Sequence, residues 1–403
     1  MTAQTRWRPR RLPAVPVPLE GESLHSWLAA LARLNETGIG PVMAALHLPA
    51  SANPGFALRK AVRGLTAYQT GAVAAATGLP EDRVSRLTFA SYLSGLRKVR
   101  PLPDGLPERP RTASIDIHEK NHADTIRRDH IVPDGQAKVC PSCIDEDDGR
   151  WPLAWMLPWS VVCPRHHRFL VAACECGARP RALGCLDGRN WTCPGRKING
   201  RLTACGQLLR DLPAGTFSDP ALADAQAWLL QLLDPLGERG EAEGVTPDDV
   251  NAMVLLCTER GFVTNLAGLD PPVKEAFETH MRTNERNMWR RGGSSRGRRG
   301  YSPDPHVIAA GLRMAVAILA ADDPLEEARR FLPVDIAGVM GVRAISDWLR
   351  KDTQWTAMSL VGPRYVPLAA AVLNPEGARV PRTGFMLAHP RGRMSLWSAF
   401  DAD

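Results

Sequence analysis

Cys140-Pro-Ser-Cys143, Cys163-Pro-Arg-His166, Cys174-Glu-Cys176-Gly177, Cys193-Pro194 and Cys205-Gly206 decide how this chain is read. Eight of its nine cysteines lie between positions 140 and 205, and only Cys257 stands apart. A two-residue spacer lets both ligands of a pair face one ion from a tight turn. CxxC followed by CxxH thus supplies three thiolates and one imidazole, a tetrahedral zinc set. Cys140, Cys143, Cys163 and His166 are expected to hold a first structural zinc ion. Cys174 and Cys176, closed by Cys193 and Cys205, are expected to hold a second, and a glycine after a ligand suits a turn of positive φ. His167 competes with His166 at the first site, and Cys185 competes for a place at the second. A disulfide framework or a set of buried free thiols is the other reading. No secretory signal precedes the cysteines, and in a reducing compartment such clusters are more often metal sites.

Outward from this stretch, composition sets the limits. A chain of 403 residues predicts two to four domains, and a hydrophobic content of 44% is ample for real cores. The net charge of +7 and pI of about 9.1 favour anionic partners, nucleic acid first. No apolar run approaches the roughly 20 residues that span a bilayer. The basic start (Arg6, Arg8, Arg10, Arg11) leads into a proline-broken segment, so a cytoplasmic protein is expected. No GxxxxGK[ST] phosphate loop occurs, and no nucleophile–base set is visible, so no enzymatic activity is expected.

The fold class expected is mainly α, with helix-turn-helix domains flanking a central zinc-ribbon or zinc-knuckle region. Residues 1–100 form an N-terminal helical domain. An extended basic arm over 1–18 leads to a helix with Ser23 as N-cap. Leu24, Trp27, Leu28, Leu31 and Leu34 make its apolar face, and His25 is placed at the surface. Leu65–Phe89 has helix-turn-helix spacing, with Gly78 at the turn and a second helix over Pro80–Phe89. Glu81 and Asp82 at the start of that helix would repel phosphates.

Residues 101–139 read as a connector. It contains His118-Glu119-Lys-Asn-His122, a formal HExxH read as a chance match. Residues 140–210 carry the tandem knuckles. Trp151, Trp155 and Trp159 between them are four apart, as on one helical face, with Pro152 at its start and Pro158 ending it. They are expected to buttress the knuckles, and a base-stacking platform is the lesser reading. Residues 211–290 read as helical, best over 221–233 and 248–259, with Cys257 a buried thiol. Residues 291–302 read as a flexible basic linker. Gly293-Ser-Ser-Arg-Gly297 lacks the strand and helix that a nucleophile elbow needs. Residues 303–403 form a C-terminal helical domain with an imperfect second helix-turn-helix over Asp335–Leu349. Candidate nucleic-acid contacts are Arg290, Arg291, Arg296, Arg298, Arg299, Arg343 and Arg350.

Leu12-Pro…Pro18-Leu-Glu-Gly-Glu-Ser-Leu-His-Ser-Trp-Leu28, the CPxC of Cys140–Cys143, Arg150-Trp151 and Cys163-Pro-Arg-His166 follow one another in an order that resembles the TniQ/TnsD family of transposon target-selection proteins. The later knuckles continue the resemblance to about residue 210. The chain departs from it in the insert Pro194–Ala204, where a short knuckle is usual. The resemblance implies a non-enzymatic adaptor that recognises target DNA or a CRISPR RNA-guided complex and recruits an AAA+ ATPase of the TnsC/TniB type. It is also compatible with a homodimer. Two other functions compete: a stand-alone zinc-containing DNA-binding regulator, and a zinc hydrolase using His118, Glu119 and His122.

Overall fold

The structure, a computed structural model, describes residues 11–48, 61–90, 137–180, 192–193, 195–198, 201–203, 205–232, 245–258, 266–290, 304–331 and 361–373. At 196–198, 201–203, 281–290 and 370–373 the description is of backbone alone. The described part is mainly helical. It falls into two compact units, one drawn from Met1–Gly95 with Ile131–Phe217, the other from Leu96–His130 with Ser218–Asp403. The formal HExxH, the GxSxG, the second helix-turn-helix stretch and Cys185 lie outside the described residues.

In the first unit, α1 (Leu24–Leu34) starts where the sequence predicts, with Ser23 as the N-cap residue. The Ser23 side chain does not cap the helix, because its hydroxyl donates to the Trp151 carbonyl at 2.9 Å. Leu24, Trp27, Leu28 and Leu31 are fully buried, whereas Leu34 is exposed. His25 is not at the surface. Residues 24 to 32 are all buried, so the helix is enclosed on the polar side of its repeat as well. The short residues on that side serve other segments: Ser26 donates to Glu22 and accepts from the Trp151 amide.

Residues 11–18 are extended, as expected, and stitched down. The Leu12 amide donates to Ala76, Asn35 Nδ2 to the Ala14 carbonyl, and Trp27 Nε1 to the Pro16 carbonyl. Proline offers a carbonyl but no N–H, so side chains supply the donors.

α2 (Ile39–Ala45) packs on α1. α3 (Ala67–Thr77) opens on a capping box between Thr66 and Gln69 and ends at Gly78, φ 76°. α4 (Glu81–Arg86) packs on α3 through buried Val84, with buried Leu87 at its C-cap. It is one and a half turns long, shorter than the helix expected over Pro80–Phe89.

The three tryptophans do not share a helical face. Pro152 and Leu157 are both extended, as the prolines at 152 and 158 favour, and only a 3-10 turn (Leu153–Met156) lies between them. Trp151, Trp155 and Trp159 are buried, the first two edge to face at 5.9 Å. They are core, as expected, and offer no stacking platform.

The second unit is built on α9 (Pro305–Ala320). It packs against α6 (Pro220–Leu232), α7 (Pro247–Thr258), α8 (Pro271–Arg290) and α10 (Pro324–Phe331). α6 and α7 begin one residue before the stretches the sequence predicts. α7 and α9 come so close that a Cβ on Gly311 would sit 2.2 Å from Thr258 Cγ2. α11 (Val366–Leu373) packs on α10. Asp249 is buried and accepts from the Thr246 amide and hydroxyl and from the Gly362 amide. Cys257 is buried as expected, its thiol pushed up to about 12 by burial.

Candidate metal centres

The first cluster is assembled by one short helix and one hairpin. Cys140 is the N-cap residue of α5 (Pro141–Glu146), and Cys143 follows within its first turn. Cys163 ends β1 (Val162–Cys163), which pairs antiparallel with β2 (Arg168–Phe169). The turn between them delivers His166. His166 Nδ1 lies 3.5 Å from Cys140 Sγ, 3.2 Å from Cys143 Sγ and 3.5 Å from Cys163 Sγ, and the last two sulfurs are 3.6 Å apart. All four donor atoms lie within 4.8 Å of one another. A tetrahedral zinc with metal–sulfur bonds of about 2.3 Å separates its ligands by about 3.8 Å, so this set fits such an ion. His167 is not part of it. It takes φ 49° in the turn, and its ring lies 5.8 Å from that of Phe217.

The imidazole is held from behind. His166 Nε2 is 2.9 Å from Glu146 Oε1, so Nε2 carries the proton and Nδ1 is left for the metal. That contact holds the Glu146 carboxyl below its ordinary range. The hydrogen bonds of Cys143 and then Cys163 pull the Cys140 thiol far down, while the bond to Cys140 pushes Cys143 and Cys163 up. Three thiols this close cannot all ionise without a cation among them.

The second cluster is Cys174, Cys176, Cys193 and Cys205, its donor atoms again within 4.8 Å. Cys174 Sγ is 3.7 Å from Cys205 Sγ, and Cys176 Sγ 3.6 Å from Cys193 Sγ. Gly177, at φ 78°, turns the first knuckle so that the Ala178 amide points at Cys176 Sγ from 3.4 Å. Gly195 and Gly206 take φ 77° after the other two ligands. The insert that departs from a short knuckle is a β-hairpin, β3 (Arg196–Ile198) with β4 (Arg201–Thr203), in register Arg196↔Thr203, Lys197↔Leu202 and Ile198↔Arg201. Its base is tied by the Thr192↔Leu208 bridge and the Cys193 amide to Gln207. The loop closes on itself and brings Cys205 back to Cys193. Asn199-Gly200 between the strands was the available sign, since that pair marks hairpins.

A polar latch ties the first cluster to α1. Arg150 grips Glu22 with two nitrogens, Nε to Oε1 at 2.8 Å and Nη2 to Oε2, and also donates to the Val17 carbonyl. Glu22 is almost fully buried and accepts further from the Leu19 amide and the Ser26 hydroxyl. The Leu153 amide donates to Gly21 at 2.7 Å, and the Ser23 amide to Trp151 at 3.0 Å. Gly-Glu-Ser near the start and Arg-Trp between the knuckles, separate in sequence, are one contact.

Of the candidate nucleic-acid residues, Arg290 is the last residue of α8, with its backbone alone described. Arg291, Arg296, Arg298, Arg299, Arg343 and Arg350 lie outside the described residues. No helix among the described residues is long and apolar enough to cross a membrane.

In the first unit the N-terminal motif and the Arg150-Trp151 segment meet beside the Cys3His cluster. Residues 13–170 match the TniQ family, and the chain carries a TniQ domain over that span. The domain contains the first cluster and the latch, and it ends before Cys174. It implies a part in transposition target selection, in a family of generally non-catalytic factors. No curated protein matches the chain.

Proposed function

We propose that this protein is a non-enzymatic adaptor that selects target sites for DNA transposition. In this reading it holds two structural zinc ions, one on Cys140, Cys143, Cys163 and His166, the other on Cys174, Cys176, Cys193 and Cys205. It recognises target DNA or an RNA-guided complex and recruits an AAA+ ATPase of the TnsC/TniB type. The observation that carries the reading is the latch. Within the TniQ span, the residues that resemble the family's opening motif and its Arg-Trp segment grip each other beside a closed four-ligand cluster. Four protein ligands leave no open position for a substrate or water, so zinc there would be structural.

The α3–α4 pair would serve as a helix-turn-helix that docks protein rather than DNA. Its second helix is short, opens on Glu81 and Asp82, and pairs Arg86 with Asp82. The arginines at 290, 291, 296, 298, 299, 343 and 350 would supply phosphate contacts.

The test is a transposition assay with the cognate ATPase and transposase, mapping insertion sites with and without this protein. Insertions should cluster only when it is present, and the ATPase should co-purify with it. An insertion map unchanged by its removal would overturn the reading. Glu119→Gln should leave the map as it is, whereas loss of targeting in an intact, metal-loaded Glu119→Gln protein would favour the hydrolase.

A further inference from the structure

The two clusters differ in what they offer to a reagent arriving from solution. At the first, all three sulfurs belong to buried cysteines, and the fourth ligand is an imidazole, which forms no disulfide. At the second, all four ligands are thiols, with Cys205 exposed and Cys176 half-buried. The approach to Cys205 is open. Gly206 beside it is exposed too, and a Cβ built there would meet nothing within 4 Å.

Each outward sulfur has a buried partner. Cys205 Sγ lies 3.7 Å from Cys174 Sγ, and Cys176 Sγ lies 3.6 Å from Cys193 Sγ. Both pairs are within about 2 Å of bonding distance for a disulfide. A thiol reacts with peroxide according to its thiolate character and its exposure, and redox-sensing cysteines stand next to a second cysteine that resolves the sulfenic acid. Sulfur ligands of a metal ion are thiolates already. We propose that the second cluster is a hydroperoxide-reactive site, in which Cys205 is oxidised first and Cys174 resolves it to a disulfide.

The Cys205 thiolate attacks one peroxide oxygen. An S–O bond forms, the O–O bond breaks, and the departing alkoxide or hydroxide takes up a proton. The Cys174 thiolate then attacks the Cys205 sulfur. The S–S bond forms, and the hydroxyl leaves as hydroxide and takes up a second proton to become water. Two thiolates have lost two electrons, and one hydroperoxide with two protons has become an alcohol (or water) and water. A second equivalent converts Cys176 and Cys193 in the same way. With two of its four sulfurs joined to each other, the set no longer closes around an ion. This reactivity rests on the two-zinc reading, which metal content measured before oxidation tests by itself.

The experiment titrates full-length, metal-loaded protein with hydrogen peroxide. Ion release is followed with a chromogenic chelator, and disulfides are mapped by mass spectrometry without reduction. One of the two ions should be released, with Cys174–Cys205 the first bridge and no bridge among Cys140, Cys143 and Cys163. A dithiol and added zinc should restore the ion and the free thiols. Cys205→His keeps a fourth ligand of the kind His166 provides and removes the exposed sulfur, so it should hold both ions and release one only at a higher peroxide dose. A different first bridge, release of both ions together, oxidation that a dithiol does not reverse, or release from Cys205→His at the wild-type dose each overturns the proposal. Should Cys205→His hold a single ion, the order of bridges in wild type decides. Fewer than two ions before any peroxide overturns the two-zinc reading and the proposal with it, whereas two ions and no release overturns the proposal alone.

Discussion

The two clusters use the same chemistry in different settings. The first takes its ligands from a helix start and a hairpin inside a packed core. Cys140, Cys143 and Cys163 are buried among Ile144, Trp151 and Leu170, and the histidine is backed by Glu146. The acidic run at the end of α5 and just after it meets cations on several sides: Asp145 pairs with Arg210, Asp147 with Arg165, and Asp148 with Arg33. These pairs are largely exposed and individually worth about 0–1 kcal/mol, so they trim the surface rather than hold it. The second cluster takes its ligands from loops around a β-ribbon, with Cys205 exposed and Cys176 half-buried. All three cysteines of the first site lie in that core, whereas the second site has Cys174 and Cys193 in the same core and Cys176 and Cys205 at its edge, at the root of the ribbon.

Exchanging one ligand at each site tests that contrast most strongly. Cys140→Ser should lose one ion and unfold the TniQ span, because a structural zinc contributes on the order of 10–16 kcal/mol of apparent binding energy to its fold. Cys205→Ser should also lose one ion, yet leave hydrogen-exchange protection over residues 13–170 as it was. Equal collapse in both variants would erase the distinction.

The latch comes next. Glu22→Gln leaves Arg150 without its charge partner in a largely buried site, which should cost about 3–5 kcal/mol in denaturant unfolding. Both ions should remain. A cost below about 1 kcal/mol, the range of exposed pairs, would show that the latch does not join α1 to the first cluster.

Acid should loosen the same side. Burial pushes the His25 imidazole from 6.5 down to about 4, and both ring nitrogens lack a hydrogen-bond partner among the described residues. Between those values the unfolded chain takes up a proton that the folded one refuses, so stability falls as pH drops from about 6.5 towards 4. The loss approaches about 3 kcal/mol by pH 4. His25→Leu should flatten that part of the pH–stability curve, and equal acid sensitivity in both proteins would place the loss elsewhere.

The smallest effect is expected behind the metal. Glu146→Gln keeps a hydrogen-bond acceptor for His166 and removes the charge. First-site affinity should fall about 10- to 100-fold in chelator competition, with the second site untouched. Equal weakening at both sites would mean that Glu146 acts on the whole unit.

How much of this was legible in the sequence follows from distance along the chain. Cys140 with Cys143, and Cys163 with His166, announce themselves because two-residue spacing is itself the geometry of a knuckle. Helix starts at Ser23, Pro220 and Pro247 were close to legible for the same reason: caps and prolines act within one turn. His25 was misplaced because helical period assigns a polar face to water, and only segments far away in sequence decide whether water reaches it. The tryptophans stand at helical spacing, but Pro152 and Pro158 leave room for a single 3-10 turn. The hairpin over Arg196–Thr203 leaves only Asn199-Gly200 as a sign, because strands of three residues are too short for an alternating pattern to show. The Glu22–Arg150 contact gives no local sign, being a pairing across 128 positions.

That separation has a consequence during synthesis. A ribosome adds about 5–20 residues per second. The Trp151 carbonyl that accepts from Ser23, the Trp151 amide that donates to Ser26 and the Arg150 guanidinium that donates to Glu22 therefore emerge on the order of ten seconds after their partners. Through that interval the nascent N-terminus holds Trp27, Leu28 and Leu31 without the segment that later encloses them. Contacts this far apart are slow to close. Chaperone demand in a cell making this protein should therefore concentrate between translation of α1 and translation of the first metal-binding hairpin.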